Sequence, residues 1–300
     1  MTVLHLMRMP EVALEAIGND DAWREDVQAR LAKVEDCEVV LLVTFVPAGR
    51  KQSFKAHPLE VVQLQARALG LPHAVLEISS APTFLDSYRA NINHLREQYG
   101  ITALATGDIL DVCNSFMPRA AAGTGVDLIC PLWGIERGLL LELIWAYGMK
   151  PLITCVNVTK FEPAAQRATA AMAVQLSAAQ QAGFTLSGGE MQLGACGGGF
   201  GGSGAGVDGG GLASGIGMRV GDGTALLGRQ LDRDLYNEAL LPAKEVYGVD
   251  ECGEWGEFHT MVTDSRLFGG GPLRLSFKCL REGDYAFLSL SASEERTDAS

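Results

Sequence analysis

The stretch from Cys37 to Pro47 reads CEVVLLVTFVP and decides the interpretation of the fold. It is apolar on both faces, rich in β-branched residues and followed by Gly49. Short continuous apolar runs that end at Pro and Gly are typical of strands buried on both sides of a parallel sheet. We therefore predict that this stretch forms a strand in the interior of a parallel sheet.

Helical and strand patterns alternate on both sides of this strand. Helical spacing from Val3 to Ile17, and again from Asp26 to Val34, precedes it. The segments after it are predicted as helix His57–Leu69, strand Ala74–Ile78, helix Thr83–Tyr99, strand Ile101–Thr106, helix Asp111–Ala122, strand Asp127–Trp133, helix Glu136–Tyr147 and strand Lys150–Val158. Such alternation predicts right-handed βαβ units, so the expected class is α/β with an open, parallel, Rossmann-like sheet.

The second half of the chain has a different organisation. An alanine-rich stretch, 163–182, is predicted helical, and the glycine-rich tract that follows is predicted to be a mobile insert, because 18 of the 36 glycines lie between 188 and 228. A helix over 231–247 and strands over 257–263, 273–277 and 285–291 indicate a smaller α+β unit. We therefore expect a nucleotide-binding α/β domain over 1–158, an insert over 159–225, a substrate domain over 226–293 and a polar tail over 294–300.

The composition excludes several classes of function. With 24 basic and 36 acidic side chains the net charge is −12, which disfavours binding to nucleic acid or to anionic membrane surfaces. No apolar run approaches the roughly 20 residues of a spanning helix, and the first residues lack the pattern of a signal peptide. The seven cysteines form no C-x-x-C pair, which disfavours a disulfide framework or a zinc site and predicts a reducing, cytoplasmic location. The sequence does not indicate an oligomeric state.

The glycine-rich tract contains two formal matches to the dinucleotide-binding fingerprint, over 197–202 and 204–209. Neither match follows a predicted strand or opens a helix, so we interpret both as accidental. The chain also lacks a Gly-Lys dipeptide, an H-E-x-x-H motif and a G-x-S-x-G elbow. These absences disfavour a Walker-type phosphate loop, a zincin and an α/β-hydrolase.

Two strand ends carry candidate ligand-binding residues. Gly107 and Asp108 follow one predicted strand, where ligands bind in open α/β sheets, and Asp108 could accept from a ribose hydroxyl or hold Mg²⁺. The alternative is an ordinary strand-to-helix turn with Asp108 as the helix N-cap. Trp133 ends another strand, where its indole could stack on a base or pack in the core.

The segment CGEWGEFHT, residues 252–260, is the densest cluster of functional side chains. Glu254 and Glu257 lie three residues apart around Gly256 and precede His259 and Thr260. A loop that enters a strand would direct Glu257 and His259 to the same face. Such groups can bind a cation, hold ammonium by charge-assisted hydrogen bonds or accept its proton. The alternative is a polar β-turn with the adjacent tryptophan packed beneath it.

The order of these features resembles the diphthine-ammonia ligase family, in the adenine nucleotide α-hydrolase (HUP) superfamily. The resemblance rests on VVLLVTFVP (39–47), FKAHPLEVVQLQARALGLP (54–72), ALATGDI (103–109), LICPLWGIERGLLLELI (128–144), LLGRQLDRDL (226–235) and YGVDECGEWGEFHTMVTDSRLF (247–268). It implies an ATP-dependent, AMP-forming ligase that converts diphthine on elongation factor 2 into diphthamide with ammonia. ATP with Mg²⁺, ammonium and the diphthine form of the elongation factor are the implied reactants.

The resemblance also implies roles for particular residues. Glu254, Glu257 and His259 are the implied residues for binding and deprotonating ammonium, with Thr260 in support. Gly107, Asp108 and the tip of the first strand, including Thr44, would lie beside the nucleotide, and Trp133 is a further candidate there.

One part of the family pattern is not found in this sequence. The family has a central strand followed by an S-G-G-K-D-S-like loop that holds the pyrophosphate, whereas Met1-Thr-Val-Leu-His-Leu resembles the helix after that loop. The expected sheet therefore lacks its first strand, which would leave its neighbours unpaired or forced together. The favoured expectation is that residues 1–300 are a truncated form of the protein and show little or no turnover. The alternatives are a noncatalytic binding module and an amide ligase for another carboxylate.

Overall fold

The computed structural model describes residues 1–49, 57–111, 113–161 and 223–292. The predicted alanine-rich helix, nearly all of the glycine-rich tract and the polar tail lie outside these residues. The division of the chain into domains stays a prediction.

The N-terminal region forms three helices, α1 (Thr2–Arg8), α2 (Pro10–Ala16) and α3 (Asp21–Ala32). The single helix predicted over 3–17 is interrupted at Met9. Pro10 is the cause, because proline has no N–H to donate and disfavours helical backbone at the residue before it. Asp20 begins α3 by accepting a hydrogen bond from the backbone N–H of Trp23.

Four strands form two separate parallel pairs. Strand β1 (Leu42–Pro47) pairs with β2 (His73–Ile78), and β3 (Ala103–Ala105) pairs with β4 (Asp127–Ile129). The connecting helices are α4 (Leu59–Ala68), α5 (Phe84–Tyr99) and α6 (Phe116–Ala121), and α7 (Arg137–Ala146) follows β4. The mixed α/β class is therefore confirmed, while the described strands form two parallel pairs rather than one open sheet.

The strand predicted over 150–158 was wrongly assigned to the parallel sheet. Strand β5 (Pro151–Asn157) lies in a four-stranded antiparallel sheet with β6 (Phe258–Val262), β7 (Leu275–Glu282) and β8 (Tyr285–Ala292), in the order β6-β5-β8-β7. A strand that is buried on both faces can belong to either kind of sheet, so its apolar run does not choose its partners.

The helix predicted over 231–247 contains a π-helical segment. Arg233–Leu235 is α-helical, Tyr236–Leu240 is π-helical, and helix α8 (Leu241–Tyr247) completes the segment. Pro242 lacks the N–H that an α-helix would donate to residue 238, which accounts for a wider turn just before it.

Two clusters of buried side chains fill most of the described interior. One packs β5, β6 and β8 against the segment 226–249, and the other packs α1 to α3 against α7. Leu141 of α7 belongs to the first cluster and Leu139 to the second, so α7 joins them. Within the described ranges no helix combines the length and apolarity needed to cross a bilayer.

Candidate functional site

The loop over residues 250–257 is shaped by two glycines and one buried carboxylate. Gly253 and Gly256 have φ values of +76° and +77°, a region that L side chains rarely adopt. The Glu257 carboxylate is only 2% exposed. It accepts hydrogen bonds from the backbone N–H groups of Trp255 at 3.0 Å and Asp250 at 3.4 Å. Glu257 therefore holds both ends of the loop together from inside.

Two ion pairs attach this loop to the surrounding helices. Arg137, the first residue of α7, donates to Asp250 at 3.0 Å. Lys244 of α8 donates to Glu251 at 2.7 Å, and the Tyr236 hydroxyl donates to the same carboxylate. Ionic hydrogen bonds at partly buried positions are stronger than neutral ones, so they fix where the loop presents its remaining side chains.

Glu254 faces a cavity of about 200 Å³, which we call the Glu254 cavity. Its carboxylate accepts no hydrogen bond from the described residues. Its pKa is raised, chiefly because burial disfavours the charged form; the Arg137 guanidinium opposes this, and the nearby carboxylates of Asp250, Asp108 and Glu257 add to it. The walls of the cavity are mostly apolar and include Gly107, Ile109, Leu132, Cys252 and Thr260.

A larger cleft of about 530 Å³, the interstrand cleft, lies between the two parallel pairs. It is lined by residues 39–45, which include most of β1, and by residues 103–108, which include β3. Thr44 lines it with its hydroxyl 2.8 Å from Nε2 of His73, and Asp108 lines it with one carboxylate oxygen accepting from Thr106 at 2.8 Å. Gly107 lines both this cleft and the Glu254 cavity, so the two spaces are neighbours.

His259 lies beside His57, a residue far from it in the sequence. The ring centroids of His57 and His259 are 5.5 Å apart with the rings edge to face. Nε2 of His57 donates to the carbonyl oxygen of Thr260 at 3.1 Å. Burial lowers the pKa of His259. The pKa of His57 is lowered by burial of its ring and by repulsion from a charged His259, and the hydrogen bond to Thr260 raises it by less. Both imidazoles therefore favour the neutral form.

Both candidate tryptophans are exposed. Trp133 is 46% exposed and Trp255 is 61% exposed. The alternatives that packed Trp133 in the core and Trp255 beneath its turn are therefore wrong. Arg30 stabilises the turn over residues 131–133. Its guanidinium donates to the carbonyl oxygens of Pro131 at 2.8 Å and Trp133 at 3.0 Å.

The structure brings some of the sequence-predicted residues together and separates others. Thr44, Gly107 and Asp108 line the interstrand cleft, whereas Trp133 does not. Glu254 and Thr260 line the Glu254 cavity. Helix α6 begins only at Phe116, so Asp108 is not a helix N-cap. The predicted start of that helix at Asp111 is also wrong, because Asp111 instead accepts two hydrogen bonds from Ser115 in a turn.

One comparison with known proteins identifies part of the chain. Residues 216–279 match the family model described as the diphthamide synthase C-terminal domain. The match confirms the resemblance to the diphthine-ammonia ligase family and points to a role in diphthamide biosynthesis. It includes Glu254, Glu257, His259 and Thr260, whereas Thr44, Gly107, Asp108 and Trp133 lie outside it. No curated protein matches the chain.

Sequence reasoning missed three residues that shape this site. His57 contacts Thr260 across 203 positions of sequence, and no local pattern could have indicated that contact. Arg137 and Asp250 pair across 113 positions. Arg137 lies in the stretch 128–144 and Asp250 in the stretch 247–268, both quoted above for the family resemblance. Their opposite charges were the one feature of the sequence that could have indicated this pair.

Proposed function

We propose that this protein carries out the amide-forming step of diphthamide biosynthesis, using ATP to activate the diphthine carboxylate on elongation factor 2 and ammonia to displace AMP. The observation that carries the proposal is the position of Glu254. This carboxylate lies within the matched family domain, accepts no hydrogen bond from the described residues, and lines a cavity that shares Gly107 with the interstrand cleft.

The proposed reaction has two steps. In the first, the diphthine carboxylate attacks the α-phosphorus of ATP, the bond to pyrophosphate breaks, and an acyl-adenylate forms. In the second, ammonia attacks the carbonyl carbon, the carbon–oxygen bond to AMP breaks, and the amide forms with loss of one proton. Activation is needed because a carboxylate oxygen is a poor leaving group, whereas AMP is a good one.

The interstrand cleft is the candidate nucleotide site. At about 530 Å³ it has the size of a cofactor pocket, which usually falls between about 300 and 1,000 Å³. No group of three or more His, Cys, Asp or Glu side chains suitable for a metal occurs among the described residues. Mg²⁺ commonly uses one or two carboxylates and completes its shell with phosphates and water, so Asp108 fits as a single protein ligand. When bound there, Mg²⁺ would neutralise phosphate charge.

The Glu254 cavity is the candidate site for ammonium. A carboxylate that accepts no hydrogen bond from the described residues can accept one from ammonium, and burial strengthens that bond. Its raised pKa also makes Glu254 a better base than an exposed carboxylate, which suits it to remove the proton that ammonium must lose before attack. Thr260 lines the same cavity and offers a hydroxyl. Glu257 supports the reaction indirectly by holding the loop.

The proposal is tested with the protein expressed from its own gene, incubated with ATP, Mg²⁺, ammonium and the diphthine form of elongation factor 2. We expect release of pyrophosphate and AMP, and mass spectrometry should show conversion of the acid into the amide. No AMP and no amide under these conditions would refute the proposal for this substrate. AMP formation with a different carboxylate would then transfer the mechanism to that substrate.

A single substitution tests the role of Glu254. Glu254→Gln should preserve pyrophosphate release and slow amide formation by about 10²- to 10⁴-fold, the usual contribution of a general base. Glu245→Gln is the matched control, because this carboxylate of α8 is exposed and lies within the same matched domain. Equal loss of both steps in Glu254→Gln would show that this residue serves the nucleotide or the fold instead.

A further inference from the structure

The four-stranded antiparallel sheet has two edge strands, β6 and β7. Side chains from the segment 57–65 occupy the edge of β6. His57 donates to the carbonyl oxygen of Thr260 at 3.1 Å, and Gln65 donates to that of Val262 at 2.8 Å. A strand edge whose main-chain groups are already engaged offers little to a further strand. The edge of β6 is therefore closed.

Strand β7 is an open edge. It pairs with β8 along its whole length, and no other strand of the described residues pairs with its opposite side. All of its residues except Leu275 are exposed. It is eight residues long, contains no proline and pairs with β8 without a bulge. Because long, regular edge strands are templates for pairing with another chain, β7 is a candidate interface.

Strand β7 also exposes an apolar side chain on each of its faces. Phe277 is 44% exposed and Leu280 is 48% exposed. They lie three residues apart, so they point to opposite faces of the strand. Phe277 pairs with Leu290 of β8, which is buried in the core, so β7 extends the core face of the sheet beyond the residues that cover it. Exposed apolar side chains on both faces favour a partner that lies alongside the strand.

The charged residues of β7 match a second copy of the same strand. In an antiparallel pair related by a two-fold axis, the central residue lies opposite its own copy. With Leu280 at the centre, Lys278 of each copy lies opposite Glu282 of the other, on the face that Leu280 shares. With Lys278 at the centre two like charges would meet, and with Cys279 at the centre Lys278 would lie opposite Leu280. One register therefore combines an apolar centre with two pairs of opposite charge.

We propose that β7 pairs antiparallel with β7 of a second copy, in a two-fold dimer centred on Leu280. The pairing joins two four-stranded sheets into one continuous sheet of eight strands and covers Leu280 with its own copy. The occupant of the edge is a second copy because the charge pattern of β7 is complementary to itself. This inference concerns assembly and does not depend on the proposed reaction.

The test measures the mass of the full chain in solution by sedimentation velocity over a wide range of protein concentrations. We expect a reversible equilibrium between monomer and dimer. Lys278→Glu and Glu282→Lys each place two pairs of like charges across the interface. Each should raise the Kd of the dimer by about tenfold or more, because every substitution acts twice in a two-fold dimer. The double variant restores opposite charges and should return the Kd to within about threefold of the parent value.

Lys33→Glu is the matched control. It makes the same change of charge at an exposed residue that directly follows α3, outside the sheet, and it should leave the Kd unchanged. Far-UV circular dichroism checks that every variant is folded.

Several results would overturn the inference. The protein could be monomeric at every concentration, or its dimer could be weakened equally by Lys278→Glu and Lys33→Glu or by neither. A double variant as weak as the single ones would show that Lys278 and Glu282 do not face each other. Assemblies that grow beyond the dimer would also contradict the inference, because a two-fold interface is closed.

Discussion

Replacing Gly253 with alanine should destabilise the protein more than the same change at Gly248, where nothing lies close to the added methyl group. Gly253 has a φ of +76°, and a Cβ built on it would lie 2.5 Å from the carbonyl oxygen of Phe258. Cβ atoms essentially never approach another heavy atom within 3.0 Å, and the obstacle here is backbone that cannot rotate away. The loop or the start of β6 must therefore shift.

The size of the effect follows from two contributions. Left-handed backbone costs an alanine about 1–2 kcal/mol, and overpacking a tightly filled position costs about 1–3 kcal/mol more. We therefore expect Gly253→Ala to lower the free energy of unfolding by about 2–5 kcal/mol, a large part of the roughly 5–15 kcal/mol of a typical domain.

Gly248→Ala is the matched control for this prediction. Gly248 directly follows α8 with a φ of +67°, and nothing lies within 4 Å of its Cβ position. It should lose only the backbone contribution, about 1–2 kcal/mol. Urea unfolding followed by far-UV circular dichroism measures both variants against the parent protein. If Gly253→Ala loses no more than Gly248→Ala, the contact with Phe258 does not restrict the loop and the reasoning is wrong.

Three further perturbations test other parts of the site. Glu257→Gln should lower the free energy of unfolding in urea by about 1–3 kcal/mol, because the amide NH₂ replaces one of the two oxygens and faces one of the two loop N–H groups. An unchanged midpoint would contradict the role of Glu257 in the loop. Arg30→Met should lower the free energy of unfolding by about 3–5 kcal/mol and alter Trp133 fluorescence. The control Arg8→Met, at the exposed last residue of α1, should change it by no more than about 0.5 kcal/mol. The pKa values of His57 and His259 are lowered in the folded state. Below pH 6.5 the unfolded chain therefore binds more protons than the folded protein. The free energy of unfolding should fall as the pH drops below 6.5. In a His57→Gln, His259→Gln double variant the urea midpoint should depend less on pH over this range than in the parent protein. The same pH dependence in both proteins would argue against the lowered pKa values.

Much of the local structure follows from the sequence because its causes are local. The apolar run ending at Pro47 predicts β1, and the glycines at 253 and 256 predict a loop before β6. The CGEWGEFHT segment also pointed to the matched family domain. In each case neighbouring residues supply the signal: β-branched side chains favour strands, and glycine alone adopts positive φ without strain.

The pairing of strands and the use of each polar side chain depend on residues far apart in sequence. The apolar pattern of β5 fits a parallel and an antiparallel sheet equally well, and only its contacts with β6 and β8 decide between them. Likewise, the motif alone does not reveal that Glu257 is buried against loop amides while Glu254 faces a cavity. Strand partners and burial are set by packing free energy summed over distant segments, and no short window of sequence contains that sum.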